Sequence, residues 1–170
     1  KAWLRIFLPL YKEKVGKPLM CMSRAADITP EIADLLKLAG CVSVGIGIET
    51  SNEKTRESVL GRCESNQCIL SAISLLKERH IKVTTFNMIG IPSENMADVK
   101  QTIAFNHDTK VDSPWGVLYQ PYVKPSEGLT LSQNFFGNFY SRLGYDHPES
   151  TKMEKVQKLF PLYVKHPLLM

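Results

Sequence analysis

Apolar residues recur along this chain in two rhythms, one at helical spacing and one in short unbroken runs. Trp3, Leu4, Phe7, Leu8, Leu10 and Tyr11 predict a helix over 2–15, stopped by Gly16-Lys17-Pro18. Leu19-Met20-Cys21-Met22 reads as a strand with Ser23 and Arg24 at its polar exit. Thr29 has the chemistry of an N-cap, Pro30 suits the first helical position, and Gly40 closes the helix that Ile32, Leu35, Leu36 and Leu38 mark. Cys41 to Gly47 is the next strand. A short helix starts at Ser51-Asn52-Glu53 and ends near Gly61. Asn66 is the expected cap of a longer helix carrying Ile69, Leu70, Ile73, Leu75 and Leu76. Residues 82–89 then predict a strand, 97–107 a helix and 115–119 a last strand.

Short strands that are apolar on both faces and alternate with helices argue a parallel sheet. Two strand ends stand out. Gly47-Ile48-Glu49-Thr50 and Asn87-Met88-Ile89-Gly90-Ile91-Pro92 each turn from branched apolar residues into Gly with a polar or Pro position. In parallel barrels chemistry sits where strands give way to βα loops. Beyond Tyr122 the pattern changes: Lys124-Pro125-Ser126-Glu127-Gly128 is loop chemistry, followed by polar-rich helical segments at 132–142 and 151–164. Phe135, Phe136, Phe139 and Tyr140 sit at helical spacing and read as core. A closed barrel needs about eight βα units and roughly 250 residues, so about four parallel strands make only part of one. The expected organisation is a partial barrel over 1–128 and a short C-terminal helical extension over 129–170.

Composition narrows the function classes. With 44% hydrophobic residues in 170, the chain can bury one core. A net charge of +4, with the basic residues scattered, gives no nucleic-acid groove. No apolar run is long enough for a membrane span, and no signal-peptide pattern opens the chain. Cys21, Cys41, Cys63 and Cys68 lack the two compact pairs of a zinc site and read as structural thiols. The four His residues have no partners at ligand spacing.

In order along the chain stand Arg24, Ala39-Gly40-Cys41, Gly47-Ile48-Glu49-Thr50, Arg62, Ala72-Ile73, Leu76-Lys77, Ile81, Met88-Ile89-Gly90-Ile91-Pro92, Glu94, Thr102 and Phe105. This series resembles the radical S-adenosylmethionine (SAM) enzymes, and within them the branch often fused to a B12-binding domain. The match covers roughly residues 18–128. Two departures are visible: Ser93-Glu94-Asn95 stands where Gly-Glu-Thr is usual, and the Cys-x-x-x-Cys-x-x-Cys cluster loop is absent. The resemblance implies an α/β fold, the back part of a partial (β/α)6 TIM-type barrel whose first strands and cluster loop lie upstream. It implies a parent enzyme that uses a [4Fe–4S] cluster to cleave SAM reductively to a 5′-deoxyadenosyl radical, the fragment alone being inactive. Cobalamin in a separate domain, an electron donor such as flavodoxin or ferredoxin, and a cytoplasmic setting follow from the same resemblance. The substrate stays open.

The resemblance also assigns roles. Glu49 would accept from the ribose hydroxyls of SAM, and the alternative is a carboxylate that caps the next helix or pairs with Arg24 or Arg62. Arg62 would clamp the SAM carboxylate with its guanidinium fork, or be solvated at a helix end. Arg24 is the other candidate for a carboxylate or substrate. Gly90 and Pro92 would shape the turn while Ile91 or Ile89 packs on adenine, and Tyr122 would stack there; a tight turn and rim packing are the plain alternatives. The competing class is a non-catalytic α/β binding or interaction module, a degenerate barrel without the cluster.

Overall fold

The computed structural model describes residues 2–121 and 142–170. In chain order the elements are α1 (Leu4–Lys14), β1 (Leu19–Ser23), a 3-10 turn (Ala25–Asp27), α2 (Pro30–Leu38), β2 (Cys41–Glu49), α3 (Glu53–Leu60), α4 (Asn66–Glu78), β3 (Lys82–Ile89), α5 (Met96–Asp108), β4 (Ser113–Leu118), α6 (Ser150–Lys158), α7 (Phe160–Lys165) and a final 3-10 turn (Pro167–Leu169). The strands form one parallel sheet in sequence order, β1-β2-β3-β4. In the β1–β2 pair Leu19 lies opposite Cys41 and Met20 opposite Ser43, so Val42 bulges out of the ladder. This is the expected α/β architecture.

The punctuation residues explain the boundaries. The Thr29 hydroxyl accepts the Ile32 N–H, and Pro30 follows it at the helix start. Asn52 caps α3 by accepting the Thr55 N–H, and Gly61 closes α3 at φ 62°. His80 ends its helix in the left-handed region at φ 55°, a position that Gly usually takes. Two expectations need correction. Ser65, not Asn66, caps α4, because the Ser65 hydroxyl accepts the Cys68 N–H and Asn66 is already helical. Residues 151–164 do not make one helix: the chain breaks at Leu159, ahead of Pro161, whose ring cannot supply the N–H that a continuous helix needs. The predicted helix at 132–142, its aromatic residues and Tyr122 lie outside the described residues, apart from Arg142.

The chain separates into two compact units. The first comprises residues Lys1–Ile48, Glu64–Thr85 and Thr109–Ser113. Its core gathers Leu8, Ile32, Leu36, Val44, Ile46, Ile69, Ile73, Leu76 and Val83, all nearly solvent-free. β1 lies at the sheet edge, and one of its faces is bare: Met20 is 70% exposed and Met22 74%. On α1 the aromatic residues Trp3, Phe7 and Tyr11 stack in steps of one turn, with Trp3 and Phe7 open to solvent.

The second unit comprises Glu49–Cys63, Phe86–Asp108 and Pro114–Met170. α6 and α7 pack on α5 here, and the Phe160 ring lies where a Gly116 side chain would stand. A methyl at Gly116 would come within 2.8 Å of that ring, so the glycine lets α7 settle onto β4. A buried amide ladder ties the layers together. Asn106 of α5 donates to Asn87 of β3 at 2.8 Å, and Asn87 donates to the Trp115 carbonyl of β4 at 2.9 Å.

Candidate functional site at the strand ends

The second unit holds the C-terminal ends of β2 and β3, and most of the sequence-selected residues stand there. β2 ends on Glu49, which takes φ 63°, a conformation a non-glycine residue adopts only when its surroundings impose it. Thr50 follows, fully buried, and its hydroxyl accepts the Asn52 N–H. α5 fastens this turn: the Thr102 hydroxyl accepts the Ser51 N–H at 2.9 Å, and the Asn52 amide donates to Asp98 at 2.9 Å. Thr102, which the sequence comparison picked out only by position, is thus the anchor of the Glu49 turn.

Glu49 is 8% exposed, and its Oε1 accepts from Arg62 Nη1 at 2.9 Å. The alternative partner for Glu49 that the sequence left open is therefore Arg62. The pairing is possible because Arg62 follows Gly61, whose left-handed backbone turns the chain sharply at the end of α3. Arg62 keeps a third of its side chain exposed, so part of the guanidinium faces outward. Arg24, in the first unit, pairs with Glu64 through Nε at 2.7 Å.

β3 ends in the second turn. Gly90 has φ 77°, as the sequence led us to expect of a turn glycine. What approaches it is the chain itself: a methyl there would meet Leu143 Cδ1 at 2.5 Å and Met153 Sδ at 3.2 Å. Ile89 and Ile91 are solvent-free core residues. The turn exposes Ser93 and half-buries Pro92, while Glu94 folds back underneath. Glu94 Oε2 accepts the Gly90 N–H at 3.0 Å and the Ile91 N–H at 3.1 Å. Burial pushes the Glu94 carboxyl up to about 7, opposed by the Thr50 hydroxyl and the two amides and helped by Asp98. The sequence reading noted Glu94 as a family residue and gave it no role; its signal was a lone carboxylate two residues past a Gly-x-Pro turn.

As a donor and acceptor set, the β2 turn offers a fixed carboxylate beside a partly open guanidinium, suited to hydroxyls and to a carboxylate respectively. An iron–sulfur cluster finds no such fit. Among the described residues no group of three or more His, Cys, Asp or Glu side chains could hold a metal, and the four cysteines are free. Among the described residues no helix is long and apolar enough to cross a membrane.

The comparisons with known proteins agree with this architecture. The model of the Radical SAM superfamily matches residues 4–105. No curated protein matches the chain. Coproporphyrinogen III oxidase (HemN) from Escherichia coli, described as a radical SAM enzyme, superposes with a TM-score of 0.71 at 12% identity, over 96% of this chain and 37% of that one. Methylornithine synthase (PylB) gives 0.66 at 15% identity, over 96% and 43%. The radical SAM methyltransferase TsrM from Kitasatospora setae, solved with tryptophan substrate and the SAM analog aza-SAM, gives 0.59 at 17% identity, over 68% and 23%. A second TsrM structure carries cobalamin and a [4Fe-4S] cluster, with a TM-score of 0.60 at 18% identity, over 69% and 22%. The chain thus spans less than half the length of each of these structures. With the family model matched over more than half of its residues, the chain belongs to the radical SAM superfamily.

Proposed function

We propose that this chain forms the SAM-cradling wall of a radical SAM enzyme, the iron–sulfur ligands being supplied by sequence outside residues 1–170. The observation that carries the reading is the Glu49–Arg62 pair, a buried carboxylate and a partly open guanidinium at the end of β2. It lies inside the span that the family model matches. SAM and a [4Fe–4S] cluster are the family's cofactors, and together they supply a 5′-deoxyadenosyl radical that abstracts hydrogen from a substrate. In this reading Glu49 accepts from the ribose hydroxyls and Arg62 turns its outer nitrogen atoms to the SAM carboxylate.

The turn Gly90-Ile91-Pro92 is the adenine side of the same wall. Because Ile91 is already solvent-free, its contribution is through the backbone, beside the half-buried ring of Pro92. Tyr122 is kept as a stacking candidate. Arg24, in the first unit, is an independent candidate for an anionic group, and its bond to Glu64 leaves most of the side chain exposed. The organisation into a partial barrel over 1–128 and a helical extension over 129–170 belongs to the same proposal, as do a cytoplasmic setting and a flavodoxin or ferredoxin donor. Cobalamin in a separate domain is supported by the likeness to a cobalamin-bound methyltransferase.

The test is SAM affinity in the intact, cluster-loaded protein. Removing a hydrogen bond to a charged acceptor costs about 1.5–3 kcal/mol, so Glu49→Ala should weaken SAM binding roughly ten- to a hundredfold. Arg62→Lys should weaken it too, because an ammonium cannot reproduce the fork. Both variants should keep their iron. Affinities within about twofold of the parent for both would make Glu49 and Arg62 scaffold residues only.

A further inference from the structure

Glu94 is 2% exposed and meets no cation among the described residues. Its Oε2 is occupied by the Gly90 and Ile91 amides, but its Oε1 is buried with no hydrogen-bond partner among the described residues. The Tyr145 hydroxyl is equally buried and equally unpartnered, and it lies within electrostatic reach of Glu94. Among the described residues, the groups that act on its charge besides the two amides are a carboxylate and a hydroxyl. From α5 comes Asp98, which repels the carboxylate, and from the turn after β2 comes the Thr50 hydroxyl. Tyr119, past the end of β4, meets the Tyr145 ring edge-on at 6.2 Å. His147 stacks edge-on against Tyr145 at 5.9 Å, and its Nε2 lies 3.0 Å from the Glu94 carbonyl. His147 Nδ1 accepts the Glu149 N–H at 3.0 Å, which leaves Nε2 to donate to that carbonyl. A carboxylate so enclosed lowers its free energy by taking a proton.

We propose that Glu94 is a proton-carrying positioning residue for the Gly90–Pro92 turn: ionised, it grips the Gly90 and Ile91 amides, and protonated at its open Oε1 it grips them more weakly. Charge-assisted hydrogen bonds are roughly twice as strong as neutral ones, which supplies the difference. The proton sits on Oε1, the oxygen that no described residue bonds, with the unpartnered Tyr145 hydroxyl within electrostatic reach of the carboxyl. The pH range in which this happens is near neutrality, given where burial places the group. The consequence for cofactor binding rests on the reading of this turn as part of the SAM wall, whereas the proton device belongs to the turn alone. If both hold, SAM binds more tightly as the proton leaves.

Carbon-13 NMR of the chain, labelled at the glutamate carboxyls and titrated from about pH 4 to about pH 9, tests the device directly. One resonance should titrate near 7 and be missing in Glu94→Gln, and the amide protons of Gly90 and Ile91 should shift with the same midpoint. If no glutamate titrates above about pH 6, or if the two amides stay still while one does, the proposal fails. In the intact, cluster-loaded protein, calorimetric SAM affinity should rise roughly threefold or more across the transition and stay flat in Glu94→Gln. A flat parent profile beside a clear NMR transition overturns the link to binding. Absence of SAM binding at every pH would sink the functional reading, and the amide shifts would still decide whether Glu94 holds the turn.

Discussion

At the end of β2, Glu49 is ion-paired with Arg62 at 2.9 Å; at the end of β3, Glu94 meets two backbone amides and the Thr50 hydroxyl, with Asp98 nearby, and no cation among the described residues. Both carboxylates are buried, and both follow a strand into a turn that α5 helps to hold. Their electrostatics diverge because one turn is followed by a left-handed glycine that brings an arginine back, and the other is covered by the Leu143–His147 segment, which brings apolar and aromatic side chains. A compensated charge suits a group that must stay ionised to accept hydrogen bonds. An uncompensated one suits a group that gains or loses a proton near neutrality. Burial by itself separates neither role; the partner does.

Crowding the β3 turn should break it most severely. Gly90→Val places a branched side chain at φ 77° and against Leu143 and Met153, and should cost about 3–5 kcal/mol, read as a large fall in melting temperature. Next comes the pH dependence of stability. Glu94 has its folded-state pKa raised from 4.5 to about 7, so between these values the folded state holds more protons than the unfolded one. Stability therefore falls as pH rises through that window, by about 3 kcal/mol if the whole shift is expressed, and the loss is complete above about 7. Glu94→Gln should remove this slope in melts at about pH 5 and about pH 8, which span most of the window and pass its upper end by roughly one unit. A variant with the parent's slope would assign the effect elsewhere.

A smaller effect is expected at β2. Arg62→Ala removes the guanidinium that Glu49 Oε1 accepts from, and because a third of Arg62 is exposed the cost should be about 1–2 kcal/mol in denaturant unfolding. It should also raise the Glu49 pKa, making the β2 turn behave like the β3 turn, which carboxyl NMR can follow. If Glu49 still titrates as in the parent, the ion pair is not what keeps it charged. Smallest of all, Asn52→Ala removes the α3 cap and the bond to Asp98, for about 1 kcal/mol, without moving either carboxylate titration.

Local chemistry made much of the fold legible. Thr29-Pro30 and Gly61 announced helix ends because caps and left-handed glycines act within a few residues, and β3 falls at 82–89 as its apolar run indicates. The helix over 151–164 failed because its periodicity continued through Leu159 although Pro161 could not complete the hydrogen-bond ladder. The Asn66 cap failed by one residue, since Ser65 and Asn66 have similar capping chemistry and only the backbone conformation chooses between them.

The candidate site divides the same way. Order and spacing in the sequence were enough to mark Glu49, Arg62 and Gly90-Ile91-Pro92, because a strand that ends in glycine and a polar residue is a local pattern. Which arginine meets Glu49, what occupies the space above Gly90, and that Ile91 faces the core were decided by the tertiary structure. So was the difference between Glu49 and Glu94, two carboxylates alike in sequence until the fold places Arg62 beside one and buries the other against backbone amides, the Thr50 hydroxyl and Asp98. Caps, turns and periodicity depend on neighbours along the chain, but a charge depends on what surrounds it in space, and residues distant in sequence supply that surrounding.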